Sequence, residues 1–201
     1  LKMKLMLEIA GFKPVLHAFD WRADIERNAR ALVRDIDRSG ARKVLVVAHS
    51  MGGLIARSAL RYDKQRRIAK LVQLGAPNTG SFAPVQALRA VYPTVRKIAA
   101  LDHHNSAEHL ARAVFLTLPG LCQMLPSALS ADEPNLFDAS QWPREDLVSD
   151  GALLSRAYKV RSRIPPADER CAVMVGTHQE TVTSLRVGAN GFEYSIRRDG
   201  D

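Results

Sequence analysis

The sequence predicts an α/β fold with a mostly parallel sheet flanked by helices. Two runs, residues 43–48 and Ile68–Leu74, lack polar alternation, which is typical of parallel strands buried on both faces. Segments with helical apolar spacing lie before, between and after these runs, so that helix and strand patterns alternate along the chain. The chain has 201 residues, enough for one domain with a sizeable core.

Residues 1–81 carry the first predicted core elements. Residues 1–10 predict a helix that Gly11 ends, and residues 14–19 predict a short strand. Asp24 can cap the next helix, because the apolar residues that follow it recur with a period near 3.6. These apolar residues are Ile25, Ala29, Leu32, Val33 and Ile36.

Residues 82–166 predict a helical segment inserted between two strands of the sheet. Pro93 is expected to break its first helix, and Ser106 to cap a second helix that runs to Leu118. Residues 126–146 are rich in Pro, Asp and Ser and predict a loop, after which helix resumes over residues 147–163.

Residues 167–201 predict a return to the core. Residues 171–176 form an apolar run that indicates another buried strand. Residues 181–187 and 192–196 flank Gly188-Ala189-Asn190-Gly191, which is typical of a hairpin.

The net charge is +8, with 29 Lys and Arg against 21 Asp and Glu. This excess fits either an anionic partner, such as an anionic lipid surface, or a solvated arginine-rich surface, because the basic residues are scattered. Nucleic acid is not expected as a partner, since clustered basic residues with aromatic platforms are missing. Cys122 and Cys171 lack metal-ligand spacing, so we expect two buried free thiols, with a single disulfide as the alternative, and no metal site.

The motif Ala48-His49-Ser50-Met51-Gly52-Gly53 joins a predicted strand to a predicted helix. A serine at such a turn projects above the carboxyl end of the sheet in a strained backbone conformation. Small residues two positions before and after it, Ala48 and Gly52, would avoid a collision between Cβ atoms. The helix that follows offers unpaired amides to a developing oxyanion. The alternative is a tight strand-to-helix turn with an inert serine.

Taken with three further segments, this motif resembles α/β-hydrolases of the lipase type, in particular the lecithin:cholesterol acyltransferase-like and related bacterial lipase families. These segments are Asp20-Trp21-Arg22, residues 74–81 (Leu-Gly-Ala-Pro-Asn-Thr-Gly-Ser) and Asp199-Gly200-Asp201, which is similar to the start of an Asp-Gly-Asp-Gly-Thr-Val segment. The resemblance implies an α/β-hydrolase fold in which residues 82–166 form a helical lid. It implies no cofactor.

The resemblance also implies roles for individual residues. Ser50 matches the nucleophile, and the backbone N–H of Met51 matches one oxyanion donor. Asp201 matches the acid of the triad and Asp199 is the second candidate, while a polar turn after a strand is the alternative for both. Chain order in this fold is serine, acid, histidine, so the catalytic histidine is expected after Asp201. We therefore expect an internal fragment that lacks this histidine, the first strands and the second oxyanion donor.

The expected function is a serine ester hydrolase acting on lipid-like esters. Acyl transfer to a second alcohol and a catalytically silent hydrolase-like binding module are the alternatives. Apolar residues of the helical segment would line an acyl pocket or simply form its core. The first residues lack the long uncharged core of a signal peptide, which favours a cytoplasmic protein if they are the true start. The oligomeric state is left open.

Overall fold

The computed structural model describes residues 2–101, 104–127, 132–144, 146–189 and 191–200, with only the backbone described at Ile98 and Asp199. The helices are α1 (Lys2–Ile9), α2 (Ile25–Arg38), α3 (Met51–Ala59), α4 (Ala83–Leu88), α5 (Pro93–Leu101), α6 (Ala107–Ala113), α7 (Pro119–Cys122) and α8 (Gly151–Ser162). The strands are β1 (Val44–His49), β2 (Ile68–Leu74), β3 (Cys171–Met174), β4 (Gln179–Gly188) and β5 (Gly191–Gly200). Single 3-10 turns lie at Phe115–Thr117 and Ala139–Gln141.

The central sheet has the order β1-β2-β3, and both strand pairs are parallel. Helices α2 and α3 cover one face of this sheet and bury a shared apolar core. This core contains Ile25, Ala29, Leu32, Leu54, Ile55, Ala59, Ile68 and Leu71. The predicted α/β architecture is therefore confirmed, and its three parallel strands end at the same edge.

The opposite face of the sheet differs from the prediction. Leu45 is 56% exposed and Met174 is 58% exposed, and burial alternates along β1. The expectation of strands buried on both faces is therefore wrong within the described residues. The reason is that α2 and α3 pack on one side only, while α1 buries none of its residues.

The strand predicted over residues 14–19 is also wrong, because this stretch has no ladder partner. Val15 is 89% exposed. His17 instead fixes the stretch to α2, with its Nδ1 2.9 Å from the carboxylate of Asp35. Apolar composition alone does not make a strand when no neighbouring strand supplies hydrogen bonds.

Several helix boundaries follow the sequence. Asp24 caps α2 by accepting a hydrogen bond from the Glu26 amide at 2.9 Å. Ser106 caps α6 by accepting one from the His109 amide at 3.1 Å. Pro93 begins α5, where its missing N–H costs nothing. Helix α6 ends at Ala113, earlier than predicted, and a 3-10 turn and α7 follow it.

Residues 82–166, called the helical segment below, surround a second apolar core. This core includes Val85, Leu88, Leu121, Leu125, Trp142 and Leu154. The predicted hairpin is confirmed as β4 and β5, which pair antiparallel in a sheet of their own. It packs on the helical segment through Leu185 and Phe192, and the Phe192 ring meets the Trp142 ring edge-on at 5.3 Å. The domain boundaries after residues 81 and 166 stay a prediction.

An ion pair fastens the hairpin to the helical segment. The Arg89 guanidinium lies 2.7 Å from the Asp146 carboxylate, and both side chains are largely buried. Arg89 also donates to the Tyr194 hydroxyl at 3.2 Å. None of the helices in the described ranges is long and apolar enough to cross a membrane.

Candidate active site

Ser50 is the single residue that links the end of β1 to the start of α3. Its backbone has φ +52° and ψ −129°, a combination that non-glycine residues rarely adopt. Two hydrogen bonds hold this conformation: the Ser50 amide donates to the Leu74 carbonyl at 3.0 Å, and the Gly53 amide donates to the Ser50 carbonyl at 2.8 Å. The predicted backbone strain is therefore present at the predicted residue.

A cleft of about 520 Å³ opens where the three parallel strands end. Ligands of open α/β sheets bind at this carboxyl edge. Within the described part of the chain, the Ser50 side chain makes no hydrogen bond, so its hydroxyl is not used by the fold. The cleft is lined by His49, Ser50, Leu74, Gly75, Met174, Val175 and Gly176.

The first turn of α3 begins directly after Ser50. The backbone amides of Met51 and Gly52 lie in the first turn of α3. No earlier carbonyl of the helix is in position to accept a hydrogen bond from them. They also lie at the positive end of the helix dipole. The Met51 side chain is buried and packs toward Gly120 of α7. The position of Met51 is compatible with the predicted oxyanion donor, whose role stays a prediction.

The steric reason given for Gly52 is wrong. A Cβ at Gly52 would lie 3.6 Å from the Phe19 ring and 3.9 Å from the Ala48 Cβ, which are ordinary contacts. A Cβ at Gly53 would lie 2.4 Å from the Ala76 Cβ, a distance that real Cβ atoms do not show. The turn from β1 through Ser50 into the first residues of α3 is called the elbow below. The glycine that its packing requires is therefore Gly53, because α3 crosses the loop after β2 there.

Sequence reasoning missed a polar network beneath the elbow. Gln73 is fully buried, and its side-chain Nε2 donates to the Gly53 carbonyl at 2.9 Å. The same amide nitrogen lies 3.3 Å from the side-chain oxygen of Asn78. A buried polar side chain in a strand is costly unless it is hydrogen-bonded. The signal that could have identified it is a glutamine within the apolar run of β2.

The Asp20-Trp21-Arg22 turn joins the start of α2 to α7. Arg22 binds Asp20 through its Nε at 2.8 Å, and this hydrogen bond holds the pKa of the Asp20 carboxyl below its usual range. The Arg22 carbonyl accepts from the Gly120 amide at 3.1 Å. A Cβ at Gly120 would lie 2.1 Å from the Trp21 carbonyl oxygen, so the turn and α7 are in direct backbone contact.

A buried cluster strengthens the same junction. The Gln123 side chain, which is fully buried, accepts from the Ile25 amide at 2.7 Å and donates to the Asp24 carboxylate at 3.0 Å. Arg156 of α8 donates twice to that carboxylate, at 3.2 and 3.1 Å. The beginning of α2 is therefore tied to two helices of the helical segment.

The side chains of the two predicted acids, Asp201 and Asp199, lie outside the described part of the structure. Asp201 lies outside the described residues, and Asp199 lies in β5 with only its backbone described. Their assignment as the acid of a triad stays a prediction.

The described histidines do not hydrogen-bond to Ser50. His49 lines the cleft beside it and is exposed. His178 is exposed, with φ +65° and its Nδ1 2.8 Å from the Thr177 hydroxyl. His103 lies outside the described residues. No side chain in the described ranges is therefore a base within hydrogen-bonding distance of the serine.

Other chemistry-bearing groups lie away from the cleft. Within the described ranges, no three His, Cys, Asp or Glu residues group as metal ligands would. Both cysteines are free thiols, with Cys122 buried and Cys171 partly buried. Burial raises the pKa of the Cys122 thiol, whose sulfur lies 3.3 Å from the Ser149 hydroxyl. Cys122 is therefore protonated at neutral pH and inert as a nucleophile.

The family model for lecithin:cholesterol acyltransferase matches residues 10–159 of the chain. A solved structure described as the Tle4–Tli4 complex is similar to 78% of this chain, with 14% identity and a TM-score of 0.57. Mature Bacillus licheniformis lipase BlEst2 is 27% identical over 46% of this chain and 39% of its own, with a TM-score of 0.33. No curated protein sequence matches the chain.

The chain covers only 43% of the matched Tle4–Tli4 chain, so it spans less than half of that relative. The similarity to this structure concerns the fold, and it agrees with the parallel sheet and flanking helices described above. The resemblance and the α/β-hydrolase fold expected from the sequence are thereby confirmed.

Proposed function

Because the chain belongs to the lecithin:cholesterol acyltransferase family, we propose that its full-length protein is a serine ester hydrolase that acts through an acyl-enzyme on Ser50. The substrate class is a lipid-like carboxylic ester. The observation that carries the proposal is the backbone of Ser50, with φ +52° and ψ −129° between β1 and α3. Such strain persists only where the surrounding structure maintains it, and it is concentrated at functional sites.

The proposed reaction begins when the Ser50 hydroxyl oxygen attacks the ester carbonyl carbon. The serine proton passes to a general base, and the backbone N–H of Met51 donates to the oxyanion that forms. The alcohol then leaves with a proton, and water cleaves the acyl-enzyme. We propose a histidine of the full-length protein as the base, oriented by Asp201 or, failing that, Asp199.

The cleft supports an ester with an apolar acyl chain. Leu74, Met174 and Val175 line it next to Ser50, so a hydrocarbon chain would lie against apolar side chains. The net charge of +8 is compatible with a substrate carried on an anionic lipid surface.

The family name favours acyl transfer as a second candidate. Transfer differs from hydrolysis only in the acceptor, because a lipid alcohol replaces water in the attack on the acyl-enzyme. A product assay with and without an added long-chain alcohol separates the two, since only transfer yields a new ester.

Fluorophosphonate labelling of the full-length gene product tests the proposal. The probe reacts with an activated serine, so we expect labelling of the wild type and none of Ser50→Ala. Ser155→Ala is the matched control, because Ser155 is exposed on α8 and does not line the cleft. Its labelling should equal that of the wild type.

Absence of labelling in a folded full-length protein, with and without detergent, would contradict the enzymatic proposal. The detergent arm matters because a closed lid would block the probe without changing the serine. Absence of labelling both with and without detergent would favour a hydrolase-like module that binds lipid or protein without catalysis.

A further inference from the structure

Two arginines meet at the loop that follows β2, and among the described residues their hydrogen-bond acceptors are neutral groups. Arg57 of α3 donates from Nη1 to the side-chain oxygen of Asn78 at 2.7 Å and from Nε to the Pro165 carbonyl at 3.0 Å. Arg161 of α8 donates from Nη2 to the main-chain oxygen of Asn78 at 3.0 Å. One asparagine therefore accepts from two guanidinium groups, and neither positive charge is neutralised by it.

Other buried or half-buried arginines of the fold have a carboxylate partner. Arg89 lies 2.7 Å from Asp146, and Arg170 lies 2.6 Å from Asp168. Among the residues that the structure describes, no carboxylate oxygen lies within 4.0 Å of Arg57 or Arg161. Within the described part of the chain, the two arginines thus differ from these buried or half-buried arginines in having no carboxylate partner.

The environment makes this lack of a counter-charge costly. Arg161 is largely enclosed, and its Nε is buried without a hydrogen-bond partner. Burial and the nearby positive charge of Arg57 lower the pKa of Arg161 to about 10, and burial also lowers the pKa of Arg57. Both remain charged at neutral pH. Two desolvated like charges destabilise a fold, and a bound anion would remove that penalty.

The pair can be reached from solvent, because both side chains are partly exposed. Most of their N–H groups have no acceptor among the described residues, since Arg57 donates only from Nε and Nη1 and Arg161 only from Nη2. Guanidinium groups bind phosphate oxygens in bidentate geometry through charge-assisted hydrogen bonds. A tetrahedral oxyanion matches both the charge and the remaining donors.

We propose that Arg57 and Arg161 form a binding site for a phosphate group, either inorganic phosphate or the phosphodiester of a lipid headgroup. The site is distinct from the cleft, because neither arginine nor Asn78 lines it. Hydrogen bonds connect the site to the elbow, because Asn78 contacts Gln73 and the Gln73 side chain donates to the Gly53 carbonyl. The proposal does not depend on the proposed function.

Thermal unfolding of the full-length protein tests the site. Sodium phosphate is titrated at constant ionic strength, with sodium chloride making up the balance. At about ten times the Kd for phosphate, we expect the Tm to rise by about 3 to 6 °C. We expect the shift to vanish in Arg161→Met and in Arg57→Met. Arg163→Met is the matched control and should retain the shift, because Arg163 is exposed and lies 3.9 Å from Glu26.

Two results would overturn the proposal: a wild-type shift no larger than in chloride alone, or a shift equal to that of the wild type in either folded variant. Each variant is first compared in chloride, where removal of one repelling charge should leave the Tm unchanged or higher. Using both variants keeps the test decisive if one of them does not fold. A parallel titration with glycerophosphocholine distinguishes the phosphodiester of a lipid headgroup from inorganic phosphate as the ligand. Binding of the diester supports a lipid headgroup, and binding of inorganic phosphate alone supports the free anion.

Discussion

Alanine substitutions at the neighbouring glycines Gly52 and Gly53 distinguish the effect of packing on stability from the effect of helix propensity. In Gly53→Ala, the new Cβ would lie 2.4 Å from the Ala76 Cβ and 3.0 Å from the Gln73 Nε2. Neither neighbour can move freely, because Ala76 is in the tight loop after β2 and Gln73 is fully buried. Overpacking of this kind costs about 1 to 3 kcal/mol.

Helix propensity acts in the opposite direction at this position. Replacing glycine by alanine in a helix gains up to about 1 kcal/mol, so we expect Gly53→Ala to destabilise the protein by about 1 to 2 kcal/mol overall. For a chain of this size the Tm falls by about 2 to 8 °C. Gly52→Ala meets only contacts of 3.6 Å or longer, so its stability should equal or exceed that of the wild type.

Urea unfolding of the two variants and the wild type measures the difference directly. Fluorophosphonate labelling rates then report whether the strain at Gly53 reaches Ser50, and we expect a slower rate in Gly53→Ala only. A Gly53→Ala variant as stable as the wild type would refute the steric reasoning. So would a Gly52→Ala variant that is the less stable of the two.

Three further predictions concern buried polar contacts. Replacing Arg89 by Met leaves the Asp146 carboxylate buried and unpaired, so urea unfolding should show a loss of about 3 to 5 kcal/mol, and the double variant with Asp146→Leu should recover most of it. Asp24→Ala removes the α2 cap and the acceptor of Gln123 and Arg156, and should lower the free energy of unfolding by about 1 to 3 kcal/mol. The hydrogen bonds from Arg170 hold the pKa of Asp168 below its ordinary value of 3.8, so the folded state binds this proton less tightly than the unfolded state. The stabilisation is present above the unfolded pKa and lost as pH falls through the folded pKa. A thermal pH series should therefore show Asp168→Asn less stable than wild type near pH 7, with the gap closing in acid; a constant gap would contradict this linkage.

Local patterns were sufficient to predict the elements around Ser50. The strand before it follows from a continuous apolar run, the helix after it from helical apolar spacing, and the strain from the position of a serine at a strand-to-helix turn. Asp24 and Ser106 were likewise identified as caps, because a capping side chain bonds to amides two or three positions away in the chain. Such contacts lie within the reach of a single sequence.

Contacts between distant segments could not be predicted in this way. Residues 14–19 have strand-like composition, but a strand forms only where another strand offers its hydrogen bonds. The need for glycine at position 53 comes from Ala76, and the buried state of Gln73 depends on the carbonyl of Gly53. The glutamine within the apolar run of β2 signals a buried polar group, but sequence spacing identifies the partner of neither residue. The candidate acid Asp201 remains a prediction because it lies outside the described residues.

The contact between α7 and the elbow bears on how a substrate of the proposed reaction would reach Ser50. A Cβ at Gly120 would meet both the Trp21 carbonyl oxygen and the end of the Met51 side chain, so α7 packs closely on this part of the chain. Moving α7 outward would therefore disturb Met51, whose amide directly follows the proposed nucleophile Ser50. We expect the entry route to run instead past the end of β3, where Val175 is exposed and borders the cleft. Under the proposed function, bulky substitutions at Val175 should then discriminate among esters by acyl size.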